Sequence, residues 1–225
     1  MKLYLWDIDG TLVLYRGAGR RAAEQAFQNI FKINDVVERT RGVDFAGATD
    51  GRIMREMANS CNITNEQFDA QLAELKSAYL KMLRNEISQF DDDPTLPGVL
   101  DVLHRQASTE NIRLGLLTGN YENGARIKLG PIGLNRYFSV GGFGDDHEER
   151  RIVAKVAHER SCEFHKINIP PADVIVVGDT IHDVDCARAN GFRCIAVCTG
   201  RFDAQTLTNA GADRVIGDLT QWRDL

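Results

Sequence analysis

Asp7 and Asp9 stand one residue apart at the end of an apolar run, Leu3-Tyr4-Leu5-Trp6, with Gly10 and Thr11 directly behind them. Along an extended chain, residues i and i+2 point to the same side, so both carboxylates can converge on one pocket while Ile8 faces a core. Gly10 then lets the chain turn sharply. Two carboxylates held close repel each other, and a cation or a shared proton is needed to keep them there. A hard divalent cation with oxygen ligands is the simplest solution, which makes magnesium the expected metal. The competing reading is a turn cap, a common task for acidic residues before glycine. A calcium loop of the D-x-D type is excluded, because it wants Gly at its sixth position and Glu at its twelfth, where this chain has Leu12 and Ala18.

Two further apolar runs stop in the same manner. Leu116-Leu117 ends in Thr118-Gly119-Asn120, which supplies a hydroxyl and closely approachable backbone N–H groups suited to a phosphate. The alternative is that Thr118 only caps the next helix. Val174-Ile175-Val176-Val177 ends in Gly178-Asp179, with Asp183 four residues beyond Asp179. His182 lies between these acids, but neutral imidazole is a poor ligand for magnesium.

On these residues the chain resembles the haloacid dehalogenase (HAD) superfamily. Asp7-Ile8-Asp9-Gly10-Thr11 matches its first motif, D-x-D-G-T; Thr118 stands where the second begins; and Gly178-Asp179 followed by Asp183 is similar to the fourth. The resemblance implies a magnesium-dependent phosphatase in which Asp7 attacks phosphorus to form an aspartyl phosphate. Asp9 would act as acid and base toward the leaving group and water. The dehalogenase branch lacks that second aspartate, so Asp9 favours phosphoryl chemistry. By the same resemblance Thr118 hydrogen-bonds the transferring phosphoryl group with Gly119 and Asn120 close by, and the metal is held among Asp7, Asp9, Asp179 and Asp183, the last completing or orienting the shell. The family's third motif supplies a Lys or Arg beside the phosphate. Its usual K-P pair is absent here, and Arg150 is preferred over Arg151 and Lys155 because it directly follows an acidic stretch, as in Arg-using relatives. The plainer reading puts these cations on a solvated helix face with i,i+4 partners.

The elements that must position these residues follow from periodicity. Strand-like runs at 3–6, 112–117, 137–142, 174–177, 194–197 and 214–216 predict a parallel sheet of about six strands. Helical patterns at 98–106, 122–128, 150–164, 183–189 and 204–210 fall between or after them. The expected fold is therefore α/β and Rossmann-like, with helices on both faces and the site at the carboxyl ends of the strands.

Residues 16–89 break that alternation, with helical patterns at 20–31, 51–58 and 66–88. Gly-rich Arg16-Gly17-Ala18-Gly19 and acidic Asp91-Asp92-Asp93-Pro94 bound the segment with linker composition. The expected organisation is a core of 1–15 and 90–225 with a helical insert at 16–89, which the resemblance identifies as the cap of a class I HAD protein. Gly17-Ala18-Gly19-Arg20-Arg21-Ala22 also fits G-x-G-x-x-A, but no second strand follows within a βαβ unit, so a hinge is preferred to a dinucleotide site. In the stretch 45–52, two glycines precede Thr49, Asp50 and Arg52. It is expected to form a specificity loop with Arg52 on the substrate, unless it is an interhelical turn capped by Thr49 or Asp50.

The 225 residues carry a net charge of -5, which gives no global basic field for nucleic acid. No apolar stretch approaches a membrane span and the start lacks the layout of a signal peptide, so a cytoplasmic location is expected. Five cysteines at irregular spacing contain no C-x-x-C pair and read as reduced thiols. The acidic groups at 91–93 and 145–146 read as solvated loop charges.

The expected partner is a small phosphate ester, with no nucleic acid and no membrane, and the sequence leaves the oligomeric state open. Two alternatives remain at this stage. One is a phosphomutase or phosphonate hydrolase on the same fold, the latter needing a cap lysine such as Lys32, Lys76 or Lys81. The other is a non-catalytic binding module.

Overall fold

The computed structural model of the chain describes residues 1–223. Its centre is a parallel sheet of β1 (Lys2–Trp6), β2 (Ile112–Leu117), β3 (Gly141–Gly142), β4 (Val174–Gly178), β5 (Arg193–Val197) and β6 (Arg214–Ile216), in spatial order β3-β2-β1-β4-β5-β6. Tyr4 is in register with Leu114 on one side and Ile175 on the other. The chain builds outward from β1 in one direction and then in the other. The order therefore switches between β1 and β4, where open α/β sheets form their binding crevice.

Side chains on successive strand residues point to opposite faces, and both faces are apolar. Tyr4, Trp6, Ile175, Val177, Ile195 and Val197 belong to one core, whereas Leu3, Leu5, Val174, Val176, Cys194 and Ala196 belong to the other. This explains the near-continuous apolar strands, since a parallel sheet is covered twice. Each fully buried Leu, Ile or Val contributes about 1.5–3 kcal/mol.

Five helices lie between β1 and β2: α1 (Ala18–Phe31), α2 (Val36–Arg39), α3 (Asp50–Ser60), α4 (Asn65–Ser88) and α5 (Val99–Ala107). The long pair α1 and α4 pack side by side, burying Ala22, Ala26 and Phe27 with Leu75, Tyr79 and Leu83. Thr64 and Gln67 start α4 with a reciprocal capping box, satisfying two backbone donors that the helix end would leave free. The one-turn α2 has no counterpart in the sequence reading, because four residues are too few to show a helical period. After β2 come α6 (Glu122–Leu129), α7 (Arg150–His165), α8 (Ile181–Ala189) and α9 (Ala204–Ala210). The last three cover the second face through Val153, Ala157, Val184 and Leu207.

The third strand is shorter than its predicted span of 137–142. Leu134–Tyr137 instead forms a 3-10 turn, and only Gly141 and Gly142 pair with β2. The G-x-G-x-x-A stretch opens α1, but the next strand begins only at Ile112, so no βαβ unit surrounds it. Among the described residues, no helix is long and apolar enough to cross a membrane. All five cysteines are free, with Cys61, Cys186 and Cys194 buried.

Candidate active site

Three adjacent strands deliver the acidic and hydroxyl groups. Asp7 follows the last residue of β1, Thr118 that of β2, and Asp179 that of β4. Gly10 has φ 80° and lies so close to Asp179 that a Cβ there would stand 2.5 Å from a carboxylate oxygen. A side chain would be strained and would push Asp179 away. Gly119 serves a different close approach: a Cβ would stand 2.1 Å from the carbonyl oxygen of Ala48. There the helical segment presses its backbone onto the end of β2, and the amide of Asp50 donates to the Gly119 carbonyl at 2.7 Å.

Asp7, Asp179 and Asp183 are buried, and each offers an oxygen within 4.8 Å of the others. Burial pushes the Asp7 carboxyl up to about 7 against the pull of Arg150. Asp179 is pushed up to about 8, first by burial and then by the charge on Asp7. Arg150, only 8% exposed, places Nη2 at 2.9 Å from Asp7 Oδ1 and 2.5 Å from Asp183 Oδ1. It also donates to the carbonyls of Gly47 and Leu117. Its Nε has no hydrogen-bond partner among the described residues. Asp183 is the third residue of α8 and forms a capping box with Thr180, whose amide and hydroxyl reach Asp183 Oδ2 at 3.0 and 2.7 Å. Both oxygens of Asp183 are thus engaged within the protein. Arg151 and Lys155 lie on the surface, paired with Asp185 and Glu159.

Asp9 enters a second cluster. Its Oδ2 accepts from Asn120 Nδ2 at 2.8 Å and from Lys128 Nζ at 2.5 Å, while Asn120 Nδ2 also reaches Thr118 Oγ1 at 2.7 Å. Thr118 does not cap α6, which begins after Tyr121. The spacing argument that sent Asp7 and Asp9 to one pocket holds at the level of the cavity, since both line it. The carboxylate of Asp9 is not one of the trio formed by Asp7, Asp179 and Asp183, whose oxygens lie within 4.8 Å of one another.

Lys128 has no role in the sequence reading. It sits in the last turn of α6, where lysines commonly complement the helix dipole. A signal was nevertheless present: Tyr121, Ala125, Lys128 and Leu129 follow the i, i+4, i+7, i+8 pattern and are all buried, so the lysine interrupts an apolar face.

A cavity of about 350 Å³ joins these groups, lined by Asp7, Asp9, Thr118, Lys128 and Arg150 from the strand ends and following helices. Tyr15, Phe45, Ile53 and Tyr79 add apolar wall, and Asp50 a carboxyl that burial pushes up to about 6. Arg52 is not part of this cavity. It lines a neighbouring one of about 360 Å³, is 60% exposed and pairs with Glu56 at 2.8 Å. Helical geometry is the reason: Asp50 and Ile53 share the inward face at i and i+3, and Arg52 points elsewhere. Thr49 caps α3, accepting from the amide of Arg52 at 3.4 Å. The acidic pair at 145–146 is also more than solvated charge. Asp145 receives the amide of Glu122 at the start of α6 and pairs with Lys76, and Asp146 pairs with Arg160 at 2.6 Å.

A family model of haloacid dehalogenase-like hydrolases matches residues 1–210. A phosphoglycolate phosphatase of Chromobacterium violaceum is 32% identical over 136 residues, which cover 60% of this chain and 58% of that protein. That match thus spans little more than half of the relative's length. A phosphoglycolate phosphatase of Vibrio vulnificus is 24% identical over 240 residues, covering 100% of this chain and 96% of its own. In structure, a haloacid dehalogenase-like family protein from Streptococcus pneumoniae superposes with a TM-score of 0.67 at 17% identity, covering 98% of this chain and 96% of the other, a likeness of fold alone. With the parallel sheet and the matched 210 residues taken together, the chain belongs to the haloacid dehalogenase-like hydrolase family.

Proposed function

We propose that the protein is a magnesium-dependent phosphatase that hydrolyses a small phosphate monoester through an aspartyl phosphate on Asp7. The observation that carries this reading is the pairing of Asp7 with Arg150 at 2.9 Å inside a trio of buried carboxylates, with Asp9 held apart on the same cavity. Nucleophile and proton carrier are thereby separated, as a two-step displacement requires.

The metal fits the residues present. Asp7 and Asp179 are buried, repel each other and resist ionisation, and a hard divalent cation favours oxygen ligands of this kind. Asp7 and Asp179 would hold it; Asp183, already engaged by Arg150 and Thr180, would orient the set. When bound, such a cation neutralises phosphoryl oxygens and charge that develops on them.

Asp7 attacks phosphorus as the bond to the leaving oxygen breaks, and a proton passes from Asp9 to that oxygen. Water then attacks the aspartyl phosphate, gives a proton to Asp9 and releases phosphate with Asp7 restored. Arg150 places fixed positive charge beside the nucleophile, and Thr118 holds a hydroxyl at the reacting end of β2.

Residues 16–89 act as the cap over a core of 1–15 and 90–223. Ion pairs Arg201–Asp44 at 2.6 Å and Arg55–Glu148 at 3.2 Å bridge the two, as does the hydrogen bond from Thr49 to the Glu148 carbonyl at 2.9 Å. Closure of this kind excludes water from the reaction. The phosphonate hydrolase alternative gains no support, because Lys32, Lys76 and Lys81 do not line the cavity, and Lys128, which does, is tied to Asp9 and Asn120.

The cavity suits a compact ester, and the names of the relatives point to phosphoglycolate and phosphorylated sugars as first substrates to try. The test is phosphate release from a panel of monoesters with magnesium, after chelation, and after add-back. Turnover of none of them, or full turnover in excess chelator, refutes the reading.

A further inference from the structure

We propose that Lys128 is a positioning residue for the leaving-group step, holding the carboxyl of Asp9 in the one orientation that presents its free oxygen to the ester. The inference rests on the phosphatase reading above and deepens it.

Asp9 stands on a loop after β1, and its side chain is 47% exposed. A carboxyl so placed would sample several rotamers. Lys128 removes that freedom from below. Its side chain is 5% exposed, and Nζ spans Asp9 Oδ2 at 2.5 Å and Asn120 Oδ1 at 2.7 Å. Asn120 closes the ring by donating to the same Asp9 oxygen at 2.8 Å. Both hydrogen bonds fall on Oδ2, so Oδ1 is the oxygen left for a substrate. Asn120 further ties the ring to Thr118, which links the position of the proton carrier to the group beside the phosphate.

The lysine is itself anchored. Its carbonyl accepts from Tyr15 Oη at 2.7 Å, and Ala125 and Leu129 bury the rest of its helix face. Burying an ammonium is costly unless it is paired. A methionine would fill the stem volume on this apolar face without that cost, so what the ammonium adds is the hold on Asp9. Throughout the step Lys128 keeps its protons. The Asp9 proton moves from Oδ1 to the leaving oxygen as the phosphorus–oxygen bond breaks, and the electron pair of that bond goes to the same oxygen.

The demand for this proton depends on the leaving group. An alkoxide needs it, whereas p-nitrophenolate leaves without it. Lys128→Met should therefore lower kcat/KM, which reads the steps up to loss of the leaving group, by about a hundredfold on an alkyl ester such as phosphoglycolate, the lower end of the usual range for general acid catalysis. On p-nitrophenyl phosphate the fall in kcat/KM should be about threefold or less, whereas kcat, which includes the attack of water assisted by Asp9, can fall on both esters. Lys128→Arg should recover most of the alkyl activity. Should Lys128→Met fail to fold, Lys128→Gln, which is neutral and shorter, must show the same split. An equal fall in kcat/KM on both esters, or no fall on either, overturns the proposal. If the unmodified enzyme with magnesium turns over neither ester, the phosphatase reading fails instead.

Discussion

Arg150 Nη2 lies 2.9 Å from Asp7 Oδ1, and the same nitrogen lies 2.5 Å from Asp183 Oδ1. One buried guanidinium thus joins the residue after β1 to the helix after β4, across the point where the strand order switches. Arg150→Met should leave two buried carboxylates without their counter-charge, which costs about 3–5 kcal/mol. The denaturation midpoint should drop accordingly, and phosphate release should vanish. Arg150→Lys keeps the charge but loses the planar fork and should recover stability more than turnover. A fully active Arg150→Met variant would show that the pairing has no part in the chemistry.

Asp7→Asn removes the proposed nucleophile and leaves a near-isosteric amide. Turnover should fall by about a thousandfold or more, while the thermal midpoint stays at or above that of the unmodified protein, since the amide carries no charge into a buried site. No phosphoenzyme should be trapped on rapid acid quench. Retention of near-normal turnover would exclude covalent catalysis at this residue.

The buried carboxylates link stability to pH. Burial pushes the carboxyl of Asp7 up to about 7 and that of Asp179 up to about 8 in the folded chain, from an ordinary 3.8. The folded state therefore binds more protons than the unfolded one across that interval, and the stability they allow is full below about pH 4 and lost as pH rises through 7 and 8. The proposed magnesium site needs both groups ionised, so the stabilising effect of the ion should grow over the same window. At a hundredfold excess over Kd, it should reach about 2.7 kcal/mol. Thermal melts with and without magnesium at pH 5.5 and 8 check this, and a magnesium shift that is equal at both would contradict it. Asp179→Asn should abolish the shift.

Arg52 faces the outer cavity and pairs with Glu56. Arg52→Ala should change neither KM nor kcat by more than about twofold, and stability by no more than about 0.5 kcal/mol, as for other exposed pairs. A shift in substrate preference across the ester panel would return Arg52 to the specificity role that its sequence position suggests.

What the sequence determined by itself is what local physics controls. Apolar runs stopped by Asp or Thr, β-branched in β4, placed β1, β2 and β4 and the residues at their ends, because a strand buried on both faces must be continuously apolar and must change character where it leaves the sheet. The helical character of 16–89 was equally legible, since long periodic segments such as 66–88 report their own burial. Arg150 was placed by its position after an acidic stretch and resemblance to a motif, and its guanidinium comes to lie against Asp7. Tertiary structure alone decided which charges meet. Lys128 and Asp9 are 119 positions apart, and no local pattern couples them; only the docking of α6, packed against α4, beside the loop after β1 brings the ammonium to the carboxylate. The same packing gave the Asp9 carboxylate Lys128 and Asn120 as partners while Asp7 and Asp183 met Arg150, and the phase of α3 turned Asp50 inward and Arg52 outward. Spacing along a chain fixes which way neighbouring side chains point relative to each other, but the partner that each one finds depends on how distant elements dock.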